Sequence, residues 1–338
     1  MSMKMSATPV FLSSTYHHAV TQSEQHAVPY LLYYPSKDVC TGERLPLLLF
    51  LHGQSGRGDD ITKVATMAFP EYELSVEDES IFNVATTTGQ PCTAPQILKA
   101  VLRNDATTLI PLPSCLPPLL PAIVLCPQCP RATEWKKRPL FEAVMALLDI
   151  VLKCHRSKSR FGEASDSGDD GRPPPSLYPQ YSIDPKRVYV SGMSMGGLGS
   201  WMFAARYPGE EIKLSKQIVS LYSIISALVT NSSSFLVIID RFAAVVPICG
   251  GGPAMFAPIL KSKPIWFFHS EDDNVIGVEE TDRMVEALKQ SGNAAVLYTR
   301  YTESNEEPAS SAWMVGHNCW SKAYRRPDLW EWLFSHSL

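Results

Sequence analysis

The sequence lacks the features that mark membrane-bound, polyanion-binding and disulfide-stabilised proteins. Its net charge is only -4 at pH 7, so nothing draws it generally to nucleic acid or to an anionic membrane. Its first residues, MSMKMSATPVFLSSTYHH, have no continuous apolar core of the kind that a secretory signal needs. Its eight cysteines are scattered, whereas small secreted domains space theirs densely. We therefore expect reduced thiols, a cytoplasmic location and no nucleic-acid partner.

A recognisable metal site is also missing. Cys126 and Cys129 are the one closely spaced cysteine pair in the sequence. A structural zinc site needs four ligands, and no second CxxC pair or HxxxH pair accompanies this one. The sequence therefore predicts that no metal is bound.

What the sequence does contain is an alternation of short apolar runs and amphipathic helical patterns. Hydrophobic residues make up 45% of the 338 residues and charged residues 19%, a globular balance. Runs such as LPLLLFLHG and KRVYVSG lack polar alternation, as do strands that are covered by helices on both faces. Strands are predicted at residues 28–34, 45–51, 122–126, 187–191, 242–248, 265–269 and 295–301, and helices at 140–153, 197–206, 279–290 and 320–334. This alternation predicts an α/β fold with a mostly parallel central sheet and helices on both faces.

We expect a single α/β domain over residues 26–338, preceded by a flexible tail over residues 1–25. Residues 86–121 are rich in Pro, Thr and Leu, and residues 156–179 combine Ser, Gly, Asp and a Pro triplet. Such compositions prevent long regular elements or offer little to bury. Both segments are therefore predicted to be loop insertions.

A third insertion, residues 209–239, is apolar and follows the predicted helix 197–206. It contains SLYSIISALV and SFLVII, separated by polar residues. Since a bilayer span needs roughly 20 apolar residues, we expect no transmembrane segment here. Two explanations stay open: a lid or docking hairpin, or a stretch translated from retained non-coding sequence. We favour the second, because the connection leads back to the sheet edge opposite the one where ligands bind in open α/β sheets.

Ser194 occupies a strand–turn–helix context. Residues 188–196 read VYVSGMSMG, and a helix-compatible stretch follows. This is the pattern of a nucleophile elbow, in which glycines such as Gly192 and Gly196 let the strand and the helix approach closely. We expect Ser194 to be a nucleophile exposed at the carboxyl edge of the sheet.

The strand at residues 45–51 runs into HGQSGRGDD. In folds with a nucleophile elbow, the loop after this strand donates one backbone N–H to the oxyanion hole, and the residue after the nucleophile donates the other. Gln54 and Met195 are therefore the predicted donors. His52 precedes the serine, whereas the chain order of such triads is Ser, acid, His. We expect His52 to hold the loop by hydrogen bonds.

The same chain order restricts the general base to a histidine after Ser194 and after the acid. His336 lies third from the end of the sequence, and His269 ends an apolar strand that the acid loop should follow. His317, in MVGHNCW, is left as the predicted base.

The orienting acid is less well determined. Asp272 and Asp273 both lie in the loop after His269, and the local sequence does not decide between them. Asp282 is disfavoured, because TDRMVEALK places it on the exposed face of an amphipathic helix. The acid's task is to fix the tautomer of the histidine and to stabilise the imidazolium.

Six blocks occur in an order that resembles a known family. They are LPLLLFLHGQSGRGDD, IVLCPQCP with a following Trp, IDPKRVYVSGMSMGGLGSW, RFAAVVPICGGG, PIWFFHSEDDNVI and GHNCWSKAY. This order resembles the phospholipase/carboxylesterase and dienelactone-hydrolase-like group of α/β hydrolases, particularly its predicted-peptidase or polyhydroxybutyrate-depolymerase-like esterase subset. Two positions depart from the family pattern: Ser270 replaces a usual glycine, and Gly277 replaces a frequent proline.

The resemblance implies an α/β-hydrolase fold with Ser194, Asp273 and His317 as the triad. Asp273 is preferred on this basis because the family acid stands four positions after a strand-end histidine, here His269. It also implies a preference for esters over peptides, and it leaves the acyl group and the alcohol open.

The expected function is that of a serine hydrolase which cleaves a small-molecule or acylated ester through an acyl-enzyme, without metal or organic cofactor. Trp135, Trp201 and Trp313 are candidate pocket walls, with a plain core role as the alternative for each. An acyl-thioesterase and a binding protein that has lost turnover are the alternative functions. The oligomeric state is left open.

Overall fold

The computed structural model describes residues 10–21, 24–35, 44–61, 63–64, 120–154, 182–206, 240–304 and 316–338. The predicted insertions at 156–179 and 209–239, and all but the last two residues of the one at 86–121, lie outside these residues.

Within these ranges the structure is a sheet covered by helices. The strands are β1 Val10–Thr21, β2 Glu24–Tyr34, β3 Arg44–Leu51, β4 Ile123–Pro127, β5 Ser182–Met193, β6 Ala244–Ile248, β7 Ile265–Ser270 and β8 Val296–Tyr301. The helices are α1 Arg138–Cys154, α2 Met195–Arg206, α3 Glu279–Gln290, α4 Trp320–Tyr324 and α5 Pro327–Ser335. Two 3₁₀ segments, Gln54–Gly56 and Ala254–Leu260, follow β3 and β6. None of the helices in the described ranges is both long enough and apolar enough to cross a membrane.

The strand order is β1-β2-β4-β3-β5-β6-β7-β8. β2 runs antiparallel to both β1 and β4, and the pairs from β4 to β8 are parallel. The predicted α/β class with a mostly parallel sheet is therefore confirmed. The seven predicted strands correspond to β2 through β8, with shifted ends.

β3 illustrates why the apolar runs lack alternation. Leu47, Leu49 and Leu51 belong to one core cluster, which also contains residues of α1, α2 and α3. Leu48 and Phe50 belong to a second cluster on the opposite face, together with α4 and α5. Since both faces of the strand are buried, apolar residues are favoured at every position.

The predicted flexible tail at residues 1–25 is wrong for Val10–Thr21. This segment is β1, which pairs antiparallel with β2 from Val10 opposite Tyr34 to Thr21 opposite Glu24. Its sequence, VFLSSTYHHAVT, contains β-branched and aromatic residues that favour strands. The outer edge of β2 supplies unpaired backbone groups for it to bind.

The predicted helix at residues 320–334 is also corrected, because it is two helices. α4 ends at Tyr324, and α5 begins at Pro327 after Arg326 adopts an extended conformation. Proline has no N–H and clashes with the preceding turn inside a helix, but it fits the first helical position. Pro327 therefore starts a new helix.

The parallel part of the sheet determines where the predicted site residues meet. The Gln54 loop follows β3, Ser194 follows β5, and the Asp272–Asp273 loop follows β7. The carboxyl ends of parallel strands lie at one edge of the sheet, which is where open α/β sheets bind their ligands.

Candidate active site

Ser194 lies in the turn between β5 and α2 and has a φ of 56°. Its N–H donates to the Ile248 carbonyl at 2.9 Å, and its own carbonyl accepts from the Leu198 N–H at 3.0 Å. A positive φ is costly for a residue with a side chain, so the surrounding structure must hold it. These two hydrogen bonds fix the turn between β6 and the first turn of α2.

Two glycines allow the close approach that the turn requires. A Cβ at Gly196 would lie 1.8 Å from the Leu51 carbonyl oxygen, and one at Gly192 would lie 2.5 Å from the same atom. Any side chain at either position would therefore separate α2 from the end of β3. The sequence pattern around Ser194 is thus explained by backbone packing.

Ser194, His317 and Asp273 form a chain of hydrogen bonds. His317 Nε2 lies 2.8 Å from Ser194 Oγ, and His317 Nδ1 lies 2.7 Å from Asp273 Oδ2. Because a carboxylate only accepts, Nδ1 carries the proton and Nε2 is free to accept from the serine hydroxyl. The structure therefore brings together three residues that the sequence analysis selected separately.

Asp273 is buried and fully hydrogen-bonded. Its Oδ1 accepts the N–H groups of Val275 and Ile276, each at 2.9 Å, and its Oδ2 also lies 3.0 Å from His269 Nε2. Burial alone would raise the pKa of Asp273, but the hydrogen bonds from His269 and His317 hold it well below its ordinary value. The group is therefore a carboxylate at neutral pH.

Asp272, the alternative acid, faces other partners. It accepts hydrogen bonds from the Ser270 hydroxyl and, at 3.0 Å, from the Ser304 N–H. Ser270 is one of the two departures from the family pattern, and here it holds the neighbouring carboxylate. The contact with His317 belongs to Asp273.

Gly316 determines how closely the His317 segment approaches the acid loop. Its φ is 80°, and a Cβ there would lie 1.8 Å from the Asp272 carbonyl oxygen. Both the backbone conformation and the space require glycine. His317 is thereby held directly over the loop that carries Asp273.

The Gln54 loop passes beside the serine. A Cβ on Gly53 would lie 3.5 Å from Ser194 Cβ, and Gln54 begins the 3₁₀ turn that follows. Met195 begins α2, so its N–H has no acceptor within the helix. The segments of both predicted N–H donors therefore adjoin Ser194.

His52 holds this loop from inside the protein. Its Nδ1 lies 2.6 Å from the Gly53 carbonyl, and its Nε2 accepts the Cys129 N–H at 2.9 Å. Burial lowers the pKa of His52 to about 4. The neutral ring therefore acts as a hydrogen-bonding strut, as expected from its position before the serine.

Gln128 is a second strut, which the sequence analysis did not single out. Its side chain is fully buried, and its Nε2 donates to the carbonyls of Gly56 at 2.9 Å and Asp60 at 2.6 Å. Both partners only accept, which fixes the orientation of the amide. The signal in the sequence was weak: a polar residue that directly follows the buried strand β4.

Two of the candidate tryptophans, Trp135 and Trp201, are buried rather than exposed on an open pocket wall. Trp135 and Trp201 are 1% and 0% exposed. The Trp135 indole N–H donates to the His52 carbonyl at 2.9 Å, and Trp201 packs on Phe256 and against Gly252. The structure thus gives both the core role that was the alternative, while Trp313 lies outside the described residues.

Comparisons with known proteins identify structural relatives only. No protein-family model matches the chain, and no curated protein matches it. A solved structure of a thermostable esterase is 25% identical, with a TM-score of 0.55 and coverage of 97% of this chain. The chain spans 63% of the length of that esterase.

Two further solved structures are more distant in sequence. A ferulic acid esterase is 11% identical with a TM-score of 0.48, and it covers 97% of this chain and 100% of its own. An alpha/beta hydrolase enzyme from a Medee basin deep-sea metagenome library is 12% identical with a TM-score of 0.43, at 96% and 99% coverage. With the strand order and the turn at Ser194, the match to the thermostable esterase confirms the α/β-hydrolase fold that the resemblance implied.

Proposed function

We propose that the chain is a serine hydrolase that cleaves carboxylic esters through an acyl-enzyme intermediate. The observation that carries this proposal is the hydrogen-bonded chain from Ser194 Oγ through His317 to the buried Asp273 carboxylate. It lies at the sheet edge where the Gln54 loop and the start of α2 meet. A hydroxyl, a base and an orienting acid in this order are the parts that acyl transfer needs.

In the first half of the proposed cycle, His317 Nε2 takes the Ser194 proton while Oγ attacks the ester carbonyl carbon. The N–H groups of Gln54 and Met195 bind the oxyanion of the tetrahedral intermediate. Asp273 keeps the Nδ1 proton in place and stabilises the imidazolium. When the intermediate collapses, the C–O bond to the alcohol breaks, and His317 returns the proton to the departing alcohol.

Water completes the second half of the cycle. His317 removes a proton from a water molecule, whose oxygen attacks the acyl carbon bound to Ser194 Oγ. The second tetrahedral intermediate uses the same two N–H groups. Its collapse releases the carboxylic acid and gives the proton back to Ser194. Every proton in the cycle therefore moves between His317, Ser194, the alcohol and water.

The choice of an ester as substrate rests on similarity rather than on a described pocket. The sequence blocks resemble an esterase-rich group, and the 25%-identical solved structure is that of a thermostable esterase. A panel of p-nitrophenyl esters with acyl chains of increasing length, beside matched thioesters, tests this choice. Faster turnover of the thioesters would replace the proposal with an acyl-thioesterase.

The role of Ser194 is tested by Ser194→Ala and by a fluorophosphonate probe. We expect wild-type labelling at Ser194, and loss of hydrolysis with a nearly unchanged melting temperature in the variant, since the triad acts on the barrier rather than on the fold. Ser291→Ala is the matched control, because its hydroxyl only caps the end of α3 through the Ala287 carbonyl. Residual activity above a few per cent in Ser194→Ala, or no labelling of the folded wild type, would overturn the assignment.

The cytosol is the proposed location. The cysteines are scattered through the sequence, and the four described cysteines Cys126, Cys129, Cys249 and Cys319 are buried and form no disulfide. A reducing compartment keeps such thiols reduced. Fractionation of cells that express the full chain tests the location, and recovery from the secreted fraction would contradict it.

A further inference from the structure

Asp273 contacts a second histidine, His269, which the proposed cycle does not use. His269 lies near the end of β7 and is 0% exposed. Its Nε2 lies 3.0 Å from Asp273 Oδ2 and 2.9 Å from the Ile276 carbonyl oxygen. Its Nδ1 lies 2.7 Å from the hydroxyl oxygen of Thr281, in the first turn of α3. Both ring nitrogens therefore have partners inside the protein.

These partners determine the tautomer of His269. The Asp273 carboxylate and the Ile276 carbonyl can only accept, so Nε2 must carry a proton. The Thr281 hydroxyl can donate, so it satisfies the lone pair of Nδ1 in the neutral ring. The two acceptors thus fix His269 as a donor toward Asp273, and the Thr281 hydroxyl holds the other side of the ring.

His269 and His317 direct their N–H groups at the same atom, Asp273 Oδ2. The other oxygen, Oδ1, is held by the N–H groups of Val275 and Ile276. Each donor stabilises the negative charge and so reduces the attraction of the carboxylate for the other donors. Two donors on one oxygen therefore compete, and His269 weakens the hydrogen bond to His317 while it fixes the direction of the carboxylate.

We propose that His269 is a positioning residue that acts through Asp273. It holds the carboxylate toward His317, and it limits how strongly Asp273 stabilises the imidazolium that forms when Ser194 is deprotonated. The proposal rests on the proposed hydrolase function. It differs from the role of Asp273 itself, because His269 touches neither the serine nor the base.

Neighbouring elements place a hydroxyl, an aromatic ring and a thiol around His317 and Asp273. From the turn after β5, the Ser194 hydroxyl faces His317, and the Trp320 ring of α4 lies edge-on to it with centroids 5.6 Å apart. At the end of β6, burial, the hydrogen bond with Cys319 and the charges nearby raise the pKa of the Cys249 thiol. Among the described residues, Asp273 is thus the one carboxylate within ion-pair distance of His317.

Removing the His269 donor should change the pH dependence of hydrolysis. In His269→Met, Asp273 Oδ2 has His317 as its one side-chain donor, so the protonated form of the base becomes more stable. We expect the acid limb of kcat/KM to move up by about half a pH unit. Since the carboxylate also loses a restraint on its direction, kcat should fall about tenfold.

Two further variants separate positioning from a merely structural role. His269→Gln keeps an N–H donor on a side chain of similar reach, so it should restore most of the wild-type profile. Thr281→Val keeps the shape of the buried side chain but removes the hydroxyl that holds His269 Nδ1. We expect its acid limb to move in the same direction as that of His269→Met, by a smaller amount.

The experiment compares pH–rate profiles on one p-nitrophenyl ester, together with melting temperatures, for the full chain and these variants. An unshifted acid limb in folded His269→Met would overturn the proposal, and if that variant does not fold, an unshifted limb in Thr281→Val would do so. Histidine NMR titration of His317 reads the same upward shift without turnover. A wild type without Ser194-dependent hydrolysis therefore refutes the proposed function, whereas the NMR comparison still decides the role of His269.

Discussion

Replacing Asp273 and Asp272 in turn by asparagine compares two adjacent carboxylates by the same chemical change. At position 273, an asparagine oxygen can still accept the N–H groups of Val275 and Ile276. Its NH2 group would then face His269 and His317, which both donate to this atom in the wild type. His317 can only accept at Nδ1 if its proton moves to Nε2. In that tautomer it cannot take a proton from Ser194.

The expected loss of activity follows from this wrong tautomer. We expect kcat/KM of Asp273→Asn to fall about 10³- to 10⁴-fold, which corresponds to about 4 to 5.5 kcal/mol of lost transition-state stabilisation. The crowding of donors in a buried site should also lower the free energy of unfolding by about 1 to 3 kcal/mol. Asp272→Asn retains an oxygen for the Ser304 N–H, so its kcat/KM should stay within about threefold of the wild type.

The assay is steady-state hydrolysis of a p-nitrophenyl ester at pH 7.5, with denaturant unfolding of each protein to confirm that it is folded. A larger loss in Asp272→Asn than in Asp273→Asn would transfer the acid role to Asp272. Losses below tenfold in both variants would refute the whole argument from the tautomer.

Three further predictions concern the loops around the site. Gly316→Ala should lower kcat more than about tenfold, because the added Cβ would collide with the Asp272 carbonyl. The control Gly292→Ala has a similar φ of 86° and nothing within 4 Å of the added Cβ, so its kcat should be unchanged. Equal kinetics in the two variants would contradict this prediction. Gln128→Met should lower kcat about tenfold with KM nearly constant, because the Gln54 loop loses two hydrogen bonds. A change confined to KM in steady-state kinetics would count against this prediction. The free energy of unfolding of the wild type should fall by about 3 kcal/mol as the pH falls from 6.5 to 4 because of His52 alone. In this range the unfolded chain binds a proton at His52, whereas the buried ring of the folded protein does not. In His52→Gln, the free energy of unfolding measured with denaturant should depend less steeply on pH between pH 7 and pH 4.5. An equally steep pH dependence in both proteins would refute the lowered pKa of His52.

Local patterns determined much of the architecture. The apolar runs of β3 and β5 predicted strands that are buried on both faces, and VYVSGMSMG predicted the turn at Ser194. These inferences succeeded because each depends on residues that are neighbours in the sequence. An unbroken apolar run indicates a strand buried on both faces, and glycines on either side of Ser194 indicate a close approach of strand and helix. Pro327 carried a similarly local signal, the break between α4 and α5, which the apolar pattern across residues 320–334 outweighed in the prediction.

Contacts between distant segments were decided only by the tertiary structure. Asp272 and Asp273 are adjacent and chemically identical, and the choice between them depends on which one His317 reaches. The pairing of β1 with β2 depends on an exposed strand edge elsewhere in the sheet. Trp135 is buried because its indole N–H reaches the His52 carbonyl, which lies far away in the sequence. His269 and His317 compete for one oxygen because the fold brings the end of β7 and the His317 segment to Asp273. A sequence specifies which groups are present, but hydrogen-bond direction and burial arise from where the folded chain brings them together.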